Sequence, residues 1–560
     1  MAASSESPSS AHSDTKPIEP SPESINPTGD VVNSKDAEES YPPIREAVLI
    51  MFAMAAAIFL VSLDRMIIAT AIPKISDEFH SIEDIGWYAS AYMLTGSSFM
   101  LLFGKFYTFY APKWVLMFAI GLFEIGSAVC GAAPNSTAFI IGRALAGWGF
   151  SGIFTGGIIT IQSILPLQKR PIAMGMLGAI FGISSIAGPL IGGALTTNVS
   201  WRWCFYINLP IGGVALVIFA LFLKVKAPAK AGTTWRAQLS QLDPLGTLFF
   251  LPGIVCLLLA LQWGGSTYAW SNARIIVLFI LFAILFTLFV IVQILKKSPE
   301  EATVPVHVFT QRSITSGFIY MLFVGAAMAL MVYYLSIYFQ AIRGVNALHS
   351  GLDILPFLLS VTFASIVAGI TVSRIGYYVP HMILGAAFMA IGAGLIMTFS
   401  VNTSKGVWIG YQILFGVGFG LGNQQASIAA QTVLKKQDIA IGSSLMMFAA
   451  QISGAIFVPV GQSVFDNHLL DGLKGIDGVN GTLLLNTGAT DIRSVVPAGS
   501  LGAVLSAYDN ALTRVFLVSC VMAAISVLPA LGMEWKSVKK DGKKSGKDAD
   551  VEGAPEAEKA

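Results

Sequence analysis

Run after run of about 20 apolar residues fills this chain, the length at which an α-helix rising 1.5 Å per residue crosses the hydrocarbon core of a bilayer. Fourteen runs qualify: 47–69, 86–106, 114–133, 137–162, 172–195, 203–223, 245–262, 274–295, 314–339, 351–372, 380–399, 406–432, 441–464 and 511–533. Lipid offers the backbone no hydrogen-bond partner, so runs this long read as helices. The expected fold is an all-α polytopic membrane protein. Composition agrees: of 560 residues 54% are apolar and 12% charged, with a mean hydropathy of +0.70. A soluble domain carries roughly twice that charge density.

Charge placement orients the spans, because cytoplasmic loops collect Lys and Arg. With the N-terminus inside, and with Lys105, Arg274 and Arg514 at the span edges counted with the adjoining loops, 24 of the 34 basic residues fall in cytoplasmic segments and eight in outer loops, while Arg65 and Arg143 lie within spans. Deleting one span would invert every later loop, so an even count with both ends inside is expected. The sequons at Asn135, Asn198, Asn402 and Asn480 all fall in predicted outer loops and are the candidate N-glycosylation sites. Residues 1–46, rich in Ser, Pro, Glu and Asp, read as a disordered cytoplasmic tail without a cleavable signal, and 534–560 as a second, lysine-rich tail. The spans group as a six-helix bundle over 47–223, a two-helix insert over 245–295, and a second six-helix bundle over 314–533 with a long outer loop at 465–510. Paired halves of this kind build alternating access in secondary transporters. Cys130, Cys204, Cys256 and Cys520 are spaced for neither a zinc site nor a disulfide framework, and no metal site is expected.

Ionisable residues inside spans are costly and mark function by default. Asp64 lies deep in span one and Arg143 at similar depth in span four. A carboxylate there can load and release a proton if its surroundings alternate between burial and a nearby cation, whereas the arginine stays charged. A helix cap or an Asp64–Arg65 pair is the bland alternative for Asp64, and a permanent structural ion pair for Arg143. Glu124, mid-way in span three, is either a second titrating group or a carboxyl kept neutral by burial. In span five, Gly178 and Gly182, then Gly188, Gly192 and Gly193, leave one face nearly without side chains, and Pro189 removes a backbone donor and should bend the helix. Span twelve carries Gln424, Gln425 and Gln431; Gln424, Ser427 and Gln431 share a helical face, suiting a cavity wall or interhelical hydrogen bonds. Tyr334 and Tyr338, one turn apart in span nine, suit a bulky apolar cargo or plain packing. The short turns after spans two and ten repeat a pattern, Gly104 with Lys113 and Arg374 with Gly376, which reads as paired gating loops.

Four segments carry a family resemblance: Leu63-Asp64-Arg65 through Pro73, Gly142-Arg143 through Gly149, Gly182 through Gly193, and Trp201-Arg202-Trp203 through Asn208 and Pro210. In order and in matching spans, they resemble the major facilitator superfamily, and within it the fourteen-span drug:proton antiporters, of the fungal toxin and secondary-metabolite efflux type. The loop after span two departs from that pattern: Thr108 and Phe109 stand where an Asp and an Arg are usual, and Ala111 replaces the second glycine. The resemblance implies a 6+2+6 arrangement and efflux of small, largely apolar compounds against protons through Asp64, Arg143 and Glu124. It implies no cofactor beyond the proton gradient. The partners implied are the small-molecule cargo, protons and the lipid bilayer, with no nucleic acid. It also implies a monomer in the plasma membrane or, alternatively, a vacuolar or vesicle membrane. The rival readings are an uptake carrier for a nutrient or metal chelate, a membrane enzyme, and a transport-dead sensor. Enzyme motifs such as Gly-x-Ser-x-Gly, His-Glu-x-x-His and Cys-x-x-Cys do not occur.

Overall fold

Helices carry almost the whole described chain, because each peptide group in lipid must bond within its own segment. The computed structural model describes residues 41–81, 84–224, 242–265, 267–296, 301–474 and 492–539, with 476, 479 and 484 between. The tail up to residue 40, the residues from 540 onward, and Asn480 lie outside the described residues. Among the described residues there is no β-strand.

Under the grouping expected from the sequence, the helices of the first half are α1 (Ile44–Phe79), α2 (Ile85–Ser98), α3 (Met100–Phe109), α4 (Pro112–Ala132), α5 (Ser136–Ile164), α6 (Arg170–Asn198) and α7 (Asn208–Phe222). The insert is α8 (Pro244–Trp263) and α9 (Ala273–Leu295). The second half holds α10 (Arg312–Ile337), α11 (Leu355–Ile375), α12 (Val379–Ile396), α13 (Lys405–Gly422), α14 (Gln425–Val433), α15 (Ile439–Leu473) and α16 (Leu501–Ile525). Among the described residues twelve helices are long and apolar enough to cross a membrane. The expected second and twelfth spans are instead broken helix pairs. The first breaks at Phe99, after Gly96-Ser97-Ser98, and the second at Asn423–Gln424, after four glycines at alternate positions from Gly416 to Gly422. Several helices outrun the apolar runs. α1 continues through Pro73 to Phe79, and α15 to Leu473, so the expected 465–510 loop is shorter at both ends.

Two helix pairs make the seam between the halves: α6 with α11, and α3 with α15. At the end carrying Lys169, Arg170 and Arg374 (the basic end), the seam is tight. The Ser373 hydroxyl donates to the Gln168 carbonyl at 2.6 Å, and Gly104 of α3 abuts Ser444 of α15. The insert runs beside the second pair. Its helix α8 touches the first half through Trp263 on Trp87 (centroids 6.0 Å apart) and the second half through Phe250 on Phe448 (5.6 Å), one contact near each end. Helix α9 has only 11% of its most apolar stretch buried and presents the rest outward, as a lipid-facing helix does. Asp243 ties this hairpin down. Held in the left-handed region (φ 54°), it accepts hydrogen bonds from Gly246 N–H (2.8 Å), Gln293 Nε2 (2.7 Å), and both the N–H and hydroxyl of Thr303 (2.9 and 2.8 Å), and pairs with Lys296 at 2.7 Å.

Candidate functional site

Helices α1 and α5 cross so that Asp64 and Arg143 meet inside the first half. Arg143 Nη1 donates to Asp64 Oδ2 at 2.6 Å, and each side chain is 1% exposed. Arg143 Nε donates to the Tyr88 carbonyl at 2.9 Å, and its guanidinium lies over the Tyr92 ring (4.5 Å) and nearer the edge of contact with Phe205 (5.9 Å). Tyr88 and Tyr92, one turn apart in α2, therefore wall the cation; the Tyr92 hydroxyl is anchored on the Val61 carbonyl at 3.1 Å. Asn208, the first residue of α7, donates to Ser127 Oγ at 3.0 Å and faces Asp64 Oδ1 at 3.5 Å. The arrangement has a chemical consequence. The arginine has a carbonyl and an aromatic face besides Asp64, so loss of the aspartate charge would not strand the cation.

Glu124 stands one turn from Ser127 in α4 and packs on Gly212 of α7, where any side chain would strike its Oε1. Both of its carboxyl oxygens are buried without a hydrogen-bond partner. It is adjacent to the Asp64 network through Ser127 and Asn208, not a member of the ion pair.

The span-five glycines divide between two neighbours. Gly178 and Gly182 face Ser365 and Thr362 of α11 across the seam, whereas Gly188 and Gly192 receive Met66 and the Ile67–Thr70 turn of α1, just past Asp64. Gly193 has open space beside it, and α6 runs unbroken through Pro189. Of the span-twelve amides, Gln424 sits at the helix break and reaches toward Gly178. Gln425 and Gln431 donate to the Leu421 and Ser427 carbonyls of their own segment (2.9 and 3.3 Å), leaving their Oε1 atoms buried and unpartnered. Tyr334 and Tyr338 are fully buried, with hydroxyls on Gln462 Oε1 (3.3 Å) and the Ser400 carbonyl (2.9 Å). Lys113 caps the end of α7 through the Ala220 carbonyl (2.5 Å), a contact within one half. Arg374 is exposed in the last turn of α11, and Gly376 ends that helix at φ 96°. Asn135 caps α5 by accepting from Ala138 N–H at 2.9 Å, Asn198 closes α6, and Asn402 is exposed before α13.

The sequence reading missed the Tyr88 carbonyl and the Tyr92 face as partners of Arg143. It also missed a contact across the seam: Arg65 Nη1 donates to Gln451 Oε1 of α15 at 3.4 Å. In the sequence Arg65 reads as an intramembrane cation and the bland partner of Asp64; Arg143 takes that place.

Similar proteins fall into one group. The chain is 52% identical over 498 residues to the "MFS-type efflux pump MFS1" of Arthroderma benhamiae, covering 89% of this chain and 92% of that protein. It is 46% identical over 497 residues to "Efflux pump aflT" of Aspergillus parasiticus (88% and 96% covered). It is 47% identical over 502 residues to the "Rubrofusarin-specific efflux pump aurT" of Gibberella zeae (90% and 92%). Two solved structures share its fold. A double-tryptophan mutant of XylE has a TM-score of 0.57 at 14% identity, with 88% of this chain and 97% of that chain covered. The human organic anion transporter MFSD10 has a TM-score of 0.54 at 12% identity (86% and 100%). These kinships make the chain a multi-pass membrane transporter of small molecules, not an enzyme. The model of the Major Facilitator Superfamily matches residues 54–458, and the chain belongs to that family.

Proposed function

We propose that this protein is a proton-driven exporter of small, largely apolar organic compounds, a fungal secondary metabolite or toxin foremost, of the fourteen-span drug:proton antiporter kind. The observation that carries this is the Asp64–Arg143 pair, sealed at 2.6 Å inside a membrane bundle whose relatives are named efflux pumps. In this reading the segments 85–109 and 405–433 each count as one broken span, giving 6+2+6 with both tails cytoplasmic, and the monomer works in the plasma membrane. The gradient protonates Asp64 and loosens its hold on Arg143. The α1–α6 contact at Gly188 and Gly192 carries that change toward the seam, and deprotonation resets it. Glu124 serves as the second acid, one turn from the Ser127–Asn208 link.

Vesicles or cells expressing the chain provide the test. Efflux of a fluorescent apolar dye should stop when an uncoupler collapses the proton gradient, and Asp64→Asn should reach the membrane yet not export. Efflux that persists with the uncoupler would remove the proton from the cycle.

A further inference from the structure

We infer that Arg65 and Gln451 form a seat for an anionic oxygen of the cargo (a carboxylate, an enolate or an ionised phenol) at the seam between the two halves. The inference rests on the export reading and names the class of compound it would carry.

Arg65 follows Asp64 in α1, so its side chain leaves the helix about 100° away from the ion pair. It reaches across the seam instead, to Gln451 of α15 at 3.4 Å. Asp64 is already neutralised by Arg143, and among the described residues no carboxylate lies within ion-pair distance of Arg65. Arg65 is therefore a cation with no carboxylate partner among the described residues, on a half-buried side chain. An arginine within a membrane span is costly, and such residues face water or a counter-charge.

Gln451 supplies the second, independent observation. Its Oε1 accepts from Arg65, which sets the orientation of the amide, and its Nε2 is buried with no acceptor. A buried amide donor without a partner is costly. The site thus offers a guanidinium from one half and a free amide N–H from the other, with the neutral Gln451 Oε1, at 3.4 Å, as the acceptor Arg65 holds there. An oxygen bearing negative charge completes both, whereas a cationic cargo meets only repulsion. Because each half contributes one donor, a seated anion joins the halves, and their separation on the opening side releases it.

The full chain in lipid nanodiscs tests this with three isosteric probes, naphthoate, naphthamide and naphthylmethylammonium, read by tryptophan quenching. Wild type should bind naphthoate on the order of ten-fold more tightly than the amide, the value of one charge-assisted hydrogen bond, and the ammonium most weakly. Arg65→Gln should erase the preference while keeping the amide's affinity, and Arg65→Lys should retain part of it. If Arg65→Gln does not elute as a folded monomer, Gln451→Ala and the wild-type protein decide: naphthol affinity should rise with pH as the phenol ionises. Equal binding of the three probes, or an Arg65→Gln protein that still prefers naphthoate, overturns the inference. So does saturation by chloride or inorganic phosphate with no preference among organic probes, which marks an inorganic-ion site. Cells that export naphthamide while the protein shows no anion preference leave the export reading standing without this seat. Cells that export none of the probes remove the export reading, whatever the binding shows.

Discussion

Arg143 Nη1 lies 2.6 Å from Asp64 Oδ2, with both side chains 1% exposed and the residues 79 positions apart in the chain. The two partners are unequal when removed. Arg143→Ala strands a buried carboxylate, and breaking a buried pair from one side costs about 3–5 kcal/mol. Asp64→Asn leaves the arginine its Tyr88 carbonyl and Tyr92 ring and should cost much less. Thermal denaturation of the solubilised protein should therefore rank wild type, Asp64→Asn and Arg143→Ala in falling order. The double variant Asp64→Asn with Arg143→Gln should regain much of the stability lost by Arg143→Ala, with export absent from all three. A double variant no more stable than Arg143→Ala would argue that the pair is not a unit.

Asp243 anchors the insert outside the membrane-spanning stretch. Burial works to raise its carboxyl, but hydrogen bonds from Gln293, Lys296, Thr303 and Gly246 N–H prevail and hold it down at about 2, against an ordinary 3.8. A carboxyl depressed in the folded state contributes stability that is fully present above the ordinary value and is lost as pH falls through the folded one. The melting temperature should thus show an Asp243-dependent decline between about pH 4 and pH 2. Asp243→Asn should lower the neutral-pH melting temperature and flatten that part of the acid limb. An acid limb identical to wild type would remove Asp243 from the linkage.

The spans were legible because hydropathy reads what lipid demands; the helix ends were not. The last turns of α1 carry Lys74, Ser76, Asp77 and Glu78, which lie past the apolar run but continue the helix to Phe79. The breaks in the second and twelfth spans follow glycine-containing stretches that the sequence displays, but the packing at those glycines, such as Gly96 against the Phe150 ring and Gly422 against the Tyr320 hydroxyl, it does not. At the site, Asp64 and Arg143 announced themselves as intramembrane charges. Their pairing, and the freedom it leaves to Arg65, arise only when α1, α2 and α5 are brought together. The Tyr88 carbonyl is a backbone group and carries no signature in residue type at all. The short motif Trp201-Arg202-Trp203 was visible as a motif, but its work became clear only in three dimensions.

That work is a clamp. Arg202 donates to Glu78 Oε1 (2.7 Å) and to the Gly131 and Ala133 carbonyls at the α4–α5 turn (2.9 and 2.8 Å), while Trp201 Nε1 donates to Glu78 Oε2 (2.6 Å). The Trp201 bond, with help from Arg202, holds the Glu78 carboxyl below its usual range. A planar fork serves three acceptors that a single ammonium cannot reach together. Arg202→Lys should therefore melt several degrees lower, nearly as low as Arg202→Ala, with the unfolding reported by release of the α1 and α4–α5 ends to a thiol label. A lysine variant as stable as wild type would show that charge alone suffices there.

The tight seam at the basic end depends on backbones meeting without side chains between them. Gly175 and Gly178 of α6 lie against Ser365 of α11, Gly369 of α11 lies against Pro171, and the Ser373–Gln168 bond closes the end. Packing of small residues is what drives such helices together in lipid, since apolar side chains gain little there over lipid tails. Gly175→Leu should therefore wedge this end apart without touching the Asp64 pair. Spin labels at the exposed Gln168 and Arg374, which leave the Ser373 hydroxyl in place, should report a short distance in the otherwise wild-type chain, which the wedge lengthens and broadens. Export should fall steeply while Arg143 and Asp64 keep their contribution to thermal stability. A short distance that survives the wedge would mean that the halves close elsewhere along α6.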